Sequence, residues 1–293
     1  MENERLIFEK FLKEKGMSDS TVSSYITDLK NFSEYLNIKN ISNYENASSK
    51  DIDVYISSLI KSGKANSSVL RILATFRKFY KFLYDNMKIQ YNPMDNVISV
   101  KSRKKVPSVL SSKEIETLLS QPDVSTPRGV RDKAILELLY ATGIKVSELI
   151  SLNVSDVNKY YGYIILNSKK ESRIIPVYKK CLDILFLYMD NYRKDFMVKS
   201  DETALFLNSS GTSLTRQGIW KIIKKYSDTA KINKDITPHT LRHSFALHLL
   251  QNGADINDVS DMMGNKDAAS VNVYTELLKN KYKDVYKKCH PRA

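Results

Sequence analysis

Residues 238–248 read PHTLRHSFALH and hold three of the four histidines of the chain together with an arginine. His239 and Arg242 are three residues apart, so on a helix they lie one turn apart on one face. Pro238 suits the first turn of a helix, where free backbone N–H groups favour an anion. A guanidinium can donate two parallel hydrogen bonds to phosphate oxygens, and an imidazole adds a donor that can also transfer a proton. The spacing predicts a phosphate site on an amphipathic helix, with an ordinary surface pair as the alternative.

The charge balance agrees with a polyanionic partner. Lysine and arginine number 46 against 33 acidic residues, which gives the 293-residue chain a net charge of +13. This favours nucleic acid, although a solvated basic surface would give the same charge. Cys181 and Cys289 lie far apart and no Cys/His cluster has metal-ligand spacing, so we expect free thiols, no metal and a reducing compartment. Without a signal-peptide pattern or a membrane-length apolar run, the sequence predicts a cytoplasmic protein with no membrane partner.

The elements that must position such a site are mostly helices. Nine glycines, seven prolines and long stretches of 3.6-residue apolar period predict a mainly α fold with a small antiparallel sheet. Residues 1–99 are expected to form a four-helix domain, with Ser20 capping one helix and Gly63 ending another. Residues 100–108 form a basic linker that could follow a phosphate backbone, or an ordinary surface loop. Residues 109–293 form the second domain.

The second domain combines helices with one hairpin. We expect helices from SSKEIETLL, with Ser112 among its start signals, from VRDKAILELLYATG up to Gly143, and from IKVSELISL. Strands are expected at 162–167 and 173–177, joined by the basic turn SKKES, with a third short strand at 204–207. The pattern predicts a helical domain with a hairpin or three-stranded sheet.

Further along the chain, DINDVSDMMGNKDAASVNVYTELL predicts a helix ending at Gly264, a polar turn and a helix that carries Tyr274. The order TPHTLRHSFALHLLQNGADINDVSDMMGN…VNVYTEL resembles the C-terminal signature of the tyrosine recombinases (phage-integrase family), especially the Xer type. ATGIKVSELISL is similar to the upstream motif of that family. The likeness covers nearly the whole chain, including LRILATFRKFYKFL, LTRQGIWKIIKKY and the final HPRA.

The resemblance implies a site-specific DNA recombinase in which Tyr274 attacks a phosphodiester, displaces a 5′-hydroxyl and forms a 3′-phosphotyrosyl bond. The transition state spreads negative charge over its equatorial oxygens, so preorganised donors are the largest source of stabilisation. The covalent link conserves the energy of the broken bond, so we expect no cofactor and no metal. Core packing is the alternative role for Tyr274. A related type IB topoisomerase activity is an alternative reading of the whole chain.

The resemblance also places a lysine, as general acid for the departing 5′-oxygen, in the turn between the strands. We choose Lys169, with Lys170 second; a solvated hairpin lysine is the alternative. Two positions depart from the family pattern. Lys145 stands where the family has arginine, and loss of the bidentate fork could cost roughly 3 kcal/mol, or about two orders of magnitude in rate. Asn265 stands where the family usually has histidine and cannot transfer a proton.

These departures predict slowed strand exchange, with a cleavage-deficient DNA-binding homologue as the alternative. On TRQGIWKIIKKY the apolar side should include Trp220, and the basic side should face DNA. A plain basic helix face is the alternative. The DNA-binding candidates are Arg216, Gln217 and Lys221 in the second domain and Arg71, Arg77 and Lys78 in the first, so that the two domains would close around DNA as a clamp.

The resemblance implies partners as well. They are a specific recombination site in double-stranded DNA, a second copy or a paralogous recombinase in a tetramer, and a DNA translocase. The helix after Tyr274 has an apolar stripe that must be buried, either on its own domain or, as the resemblance implies, in a neighbouring protomer. The resemblance leaves chromosome-dimer resolution during cell division and movement of an element as alternative roles.

Overall fold

The computed structural model describes residues 1–97, 107–167 and 172–264. The chain divides into two compact units, Met1–Lys105 and Val106–Ala293. Residues 100–106 of the predicted linker lie outside the described residues. Of the helices within the described ranges, none is both long and apolar enough to span a bilayer.

The first unit contains the four predicted helices. The second helix is capped by Ser18, whose Oγ accepts the Thr21 N–H, so the cap lies two residues before the predicted Ser20. The core between the helices is rich in aromatic rings, and Phe76 and Phe79 are fully buried there. The helices are α1 (Glu2–Glu14), α2 (Asp19–Ile38), α3 (Ser49–Lys61) and α4 (Asn66–Asp85), with short 3-10 helices at Tyr44–Asn46 and Pro93–Asn96.

The second unit has its own core, formed largely by one set of helices. They are α5 (Ser112–Leu119), α6 (Pro127–Thr142), α7 (Val146–Ser151), α8 (Lys179–Leu187), α9 (Arg216–Thr229), α10 (Pro238–Gln251) and α11 (Ile256–Met263). Short 3-10 helices lie at Val154–Asp156 and Arg193–Phe196, and a π-helical turn, Tyr188–Tyr192, continues α8. Ser111, not Ser112, caps α5, since its Oγ accepts the Glu114 N–H.

The sheet is antiparallel in the order β1–β2–β3, with β1 (Val157–Asn158), β2 (Tyr163–Asn167) and β3 (Ser172–Pro176). The predicted hairpin is confirmed, but the strand predicted at 204–207 is wrong, because that segment forms only isolated bridges. Arg193 donates to the carbonyls of Ala204 and Leu205, which a neighbouring strand would otherwise pair. The apolar run therefore reflects burial and not a β-ladder.

Helix α10 lies against α6, α9 and α11. Its residues from Thr240 to Leu247 are buried except for half-buried His243. The prediction of an amphipathic helix is therefore wrong, because α10 is enclosed on most sides. Ser244 on α10 accepts the N–H of Leu110 at 2.8 Å, which fastens the chain entering this unit to the middle of the helix.

Candidate active site

Arg242 lies on α10 and is buried, with 6% of its surface exposed. Its guanidinium donates to the carbonyl of Gly143, at the end of α6, and at 2.7 Å to the carbonyl of Met263, at the end of α11. The last carbonyls of a helix have no partner within the helix, and a buried guanidinium needs acceptors. Arg242 therefore ties two helix ends to α10.

Lys145 is exposed and stands at the N-cap of α7, two residues after Gly143. Its Nζ lies 3.4 Å from the carbonyl oxygen of Gly264, the residue that precedes Asn265. Gly143 has a left-handed φ of 58°, and a Cβ on it would lie 2.3 Å from the ring of Phe245. Only glycine therefore fits at position 143, in the turn that leads to Lys145.

Helix α10 begins at Pro238, as predicted, which places His239 in its first turn. The His239 side chain is exposed. Thr237 caps this turn by accepting the Thr240 N–H at 3.2 Å. The ring centroids of His239 and His243 are 6.4 Å apart. Burial lowers the pKa of His243, and the nearby His239 and Arg242 lower it further. A half-buried His243 therefore favours its neutral form, while His239 faces solvent.

Sequence reasoning missed two residues beside this site, Glu148 and Arg173. Glu148 accepts the backbone N–H of Lys145 at 2.7 Å, and its two oxygens each lie 2.9 Å from a terminal nitrogen of Arg173. Burial raises the pKa of Glu148, but the Arg173 and Lys145 hydrogen bonds and the Arg173 charge outweigh it, so the net pKa is lowered. The acidic residue three positions after a helix cap was the available signal for Glu148.

Arg242, Lys145 and the end of α11 thus converge, and His239 lies one turn before Arg242 on α10. The other predicted catalytic residues, Tyr274, Lys169 (with Lys170 as second choice) and Asn265, lie outside the described residues, so their roles stay predictions. The predicted terminal helix and Cys289 also lie outside the described residues. Cys181 is a buried free thiol.

The predicted inward and outward sides of α9 are partly confirmed. Arg216, Gln217 and Lys221 are exposed, but Trp220, predicted to point inward, is 47% exposed. Ile222 occupies the buried side instead, beside Ile219, Ile223 and Tyr226, which leaves no room for the indole in the core-facing stripe. The exposed side of α9 therefore carries an aromatic ring among its cations.

The candidates of the first unit differ among themselves. Arg77 and Lys78 are exposed on α4. Arg71 is only half exposed and forms an ion pair with Asp28, which is buried. It also donates to the carbonyl of Ser24 at 3.3 Å. Arg71 therefore differs from the other two candidates, because part of its guanidinium serves a buried carboxylate.

Residues 108–281 match the phage integrase family, and residues 7–86 match the phage integrase N-terminal SAM-like domain. The chain belongs to the phage integrase family; it is a tyrosine recombinase, an enzyme that transfers DNA strands. It is 40% identical over 292 residues to the tyrosine recombinase XerD of Staphylococcus haemolyticus, which covers 98% of this chain and 99% of that relative.

Two solved structures share the fold. The XerH site-specific recombinase in a post-cleavage complex with a palindromic difH substrate has a TM-score of 0.77 at 19% identity, covering 90% of this chain and 78% of XerH. A lambda integrase tetramer bound to a Holliday junction has a TM-score of 0.71 at 18% identity, covering 92% and 76% of the two chains. At these identities the likeness shows the fold alone.

Proposed function

We propose that this recombinase is of the Xer type and cuts and rejoins a specific DNA site through a 3′-phosphotyrosyl intermediate at Tyr274. The observation that carries the proposal is the convergence at Arg242, whose buried guanidinium joins the turn before Lys145 to the residues before Asn265. A rigid cationic cluster of this kind can stabilise a pentacoordinate phosphorane without reorganising during the reaction.

Each residue then has a role in one displacement. Arg242 and Lys145 bind the non-bridging oxygens, and His239 donates to the phosphate and can accept the phenol proton. The Tyr274 oxygen forms a bond to phosphorus as the bond to the 5′-oxygen breaks, and Lys169, or Lys170 as second choice, gives that oxygen its proton. Asn265 donates a hydrogen bond. Reversal by a new 5′-hydroxyl restores the phosphodiester and frees Tyr274.

Lys145 should make cleavage slow. An ammonium is a point charge that cannot hold two oxygens in the planar fork an arginine offers. Lys145 is exposed and near the Gly264 carbonyl, so an arginine there would start from the same turn and reach the same oxygens. We expect Lys145→Arg to raise the cleavage rate by about two orders of magnitude.

The exposed cations of the two units would bind the DNA. We assign base-edge contacts to Arg216 and Gln217 on α9 and phosphate contacts to Lys221, Arg77 and Lys78. Arg71 would contribute through the part of its side chain not used by Asp28. The lambda integrase tetramer on a Holliday junction supports a tetramer here, of identical or paralogous subunits. The role in the cell is either chromosome-dimer resolution or movement of an element, and a DNA translocase is the further partner that the resemblance implies.

The catalytic proposal is tested on a nicked suicide duplex that contains a binding site selected from random duplexes with this protein. Cleavage near the nick releases a short strand that carries the 5′-hydroxyl. Because this strand diffuses away, the covalent protein–DNA complex accumulates and can be measured on a denaturing gel. We expect the complex with the natural chain, more of it with Lys145→Arg, and none with Tyr274→Phe. Retained binding without any covalent complex, even for Lys145→Arg, would instead establish a cleavage-deficient DNA-binding homologue.

That second function is favoured by one observation, the joint presence of Lys145 and Asn265 at positions where the resemblance implies arginine and histidine. Relaxation of a supercoiled plasmid that lacks the binding site would point to topoisomerase activity and contradict both proposals.

A further inference from the structure

Arg173 occupies an unusual place for a charged residue, the core side of a strand. In β3 the side chains of Arg173 and Ile175 are turned inward, while Ser172, Ile174 and Pro176 are exposed. Its cross-strand neighbour on β2 is Leu166, which is buried. A guanidinium on that face needs acceptors within the protein, because it is removed from most of the solvent.

Its acceptors come from two other elements. Nη2 donates at 2.9 Å to one carboxylate oxygen of Glu148 on α7, and Nη1 lies 2.9 Å from the other oxygen in an ion pair. Nε donates at 3.0 Å to the carbonyl of Met262, in the last turn of α11. Glu148 in turn holds the N–H of Lys145 at 2.7 Å. One side chain thus joins β3, the start of α7 and the end of α11.

Gly264 makes room for this arrangement. It ends α11 with a left-handed φ of 60°, and a Cβ built on it would lie 2.5 Å from Nη1 of Arg173. The guanidinium is therefore packed against the backbone of the residue that precedes Asn265, and the carbonyl of the same glycine lies near the Lys145 ammonium. A side chain at position 264 would therefore have to push the Arg173 guanidinium aside.

We propose that Arg173 is a positioning residue for strand cleavage, which holds the Lys145 turn, the end of α11 and strand β3 in register before DNA binds. This inference rests on the proposed function, because that function is what gives Lys145, Asn265 and Lys169 a role in strand cleavage. Arg173 acts through Glu148 and the backbone and does not touch the phosphate. Preorganised donors stabilise the transition state only if their supports are fixed, which is the contribution Arg173 makes.

The test is a double-mutant cycle on the suicide duplex. Lys145→Arg should raise the single-turnover cleavage rate about a hundredfold in the natural background. With Arg173→Gln we expect cleavage at least about tenfold slower, DNA affinity within about threefold, and a gain from Lys145→Arg that falls below about tenfold. Arg173→Lys keeps the charge without the fork and should give intermediate values. It also guards against a glutamine variant that folds poorly.

Arg193→Gln is the matched control. Arg193 is also buried and also donates to backbone carbonyls, those of Glu202, Ala204 and Leu205, but none of these groups belongs to the candidate active site. Arg193→Gln should lower the stability of the protein and leave the full gain in cleavage rate from Lys145→Arg. A full gain in the Arg173→Gln background as well would show that Arg173 is merely structural and overturn the proposal.

Amide hydrogen exchange on the free protein separates this inference from the proposed function. Arg173→Gln should speed exchange in residues 143–149 and 260–264 and leave helix α6 unchanged. If the natural chain cleaves and the exchange in those segments is unaffected by the substitution, the positioning proposal is wrong and the function stands. If the exchange changes as expected but no variant forms a covalent complex, the proposed function fails and the structural link remains.

Discussion

The two units of this recombinase stabilise their folds in different ways. Among the described residues, the first unit buries one charged group, Asp28, within a core of aromatic rings. The second unit buries three arginines, and each donates to carbonyls outside regular ladders. They are Arg131 to Leu207, Arg193 to Ala204 and Leu205, and Arg242 to Gly143 and Met263.

The difference follows from the secondary structure of the two units. Four consecutive helices satisfy their own backbone, so side-chain packing is enough to assemble the first unit. The second unit contains irregular segments and helix ends within its interior, whose carbonyls need donors that the backbone does not supply. Long arginine side chains provide those donors. A cation proposed for catalysis can therefore also be a structural one, as at Arg242.

The largest expected effect is that of Arg242→Gln, which should break both roles at once. Losing the guanidinium leaves two buried carbonyls poorly paired, at a cost of about 2–4 kcal/mol in the free energy of unfolding. Cleavage of the suicide duplex should fall by at least about a thousandfold. Urea unfolding followed by the fluorescence of Trp220, the single tryptophan, reports the first quantity for this unit. Lost cleavage with unchanged stability would mean that the carbonyl contacts carry no energy.

Gly143→Ala ranks next, because it removes no catalytic candidate and tests only the stability of the turn between α6 and α7. A left-handed alanine costs roughly 1–2 kcal/mol, and its Cβ would meet the Phe245 ring, so we expect about 2–4 kcal/mol in total. Gly253→Ala is the matched control in the same unit, since its φ is 92° and no atom lies within 4 Å of the added Cβ. Equal losses for the two variants, measured by urea unfolding, would remove the argument from close packing.

The smallest expected effect concerns the pH dependence of stability at Glu148. Its pKa is lower in the folded chain than its ordinary value, so the unfolded chain binds the proton more readily. The carboxylate therefore stabilises the fold fully above the ordinary glutamate pKa, and this contribution is lost as the pH falls through the folded-state pKa. The stability difference between the natural chain and Glu148→Gln should shrink over that acid range. A difference independent of pH would contradict the ion pair with Arg173.

Local patterns were enough to predict most of the helices and the hairpin, because capping residues, glycines and apolar periods act over a few positions. Helix α8 was not predicted. The errors arose where distant contacts decide the outcome. The segment from Ala204 to Leu207 has strand-like residues, yet Arg193 takes its carbonyls. The partners of Arg173 lie 25 and 89 positions away, so no sequence window contains them. The side chains at 145, 239 and 242 were identified from motif order and spacing, while their supports required coordinates.

The bond from Leu110 to Ser244 has a mechanical consequence. It anchors the chain where it enters the second unit, two residues along α10 from Arg242. A pull on the chain at Leu110 is therefore transmitted to the helix that carries Arg242.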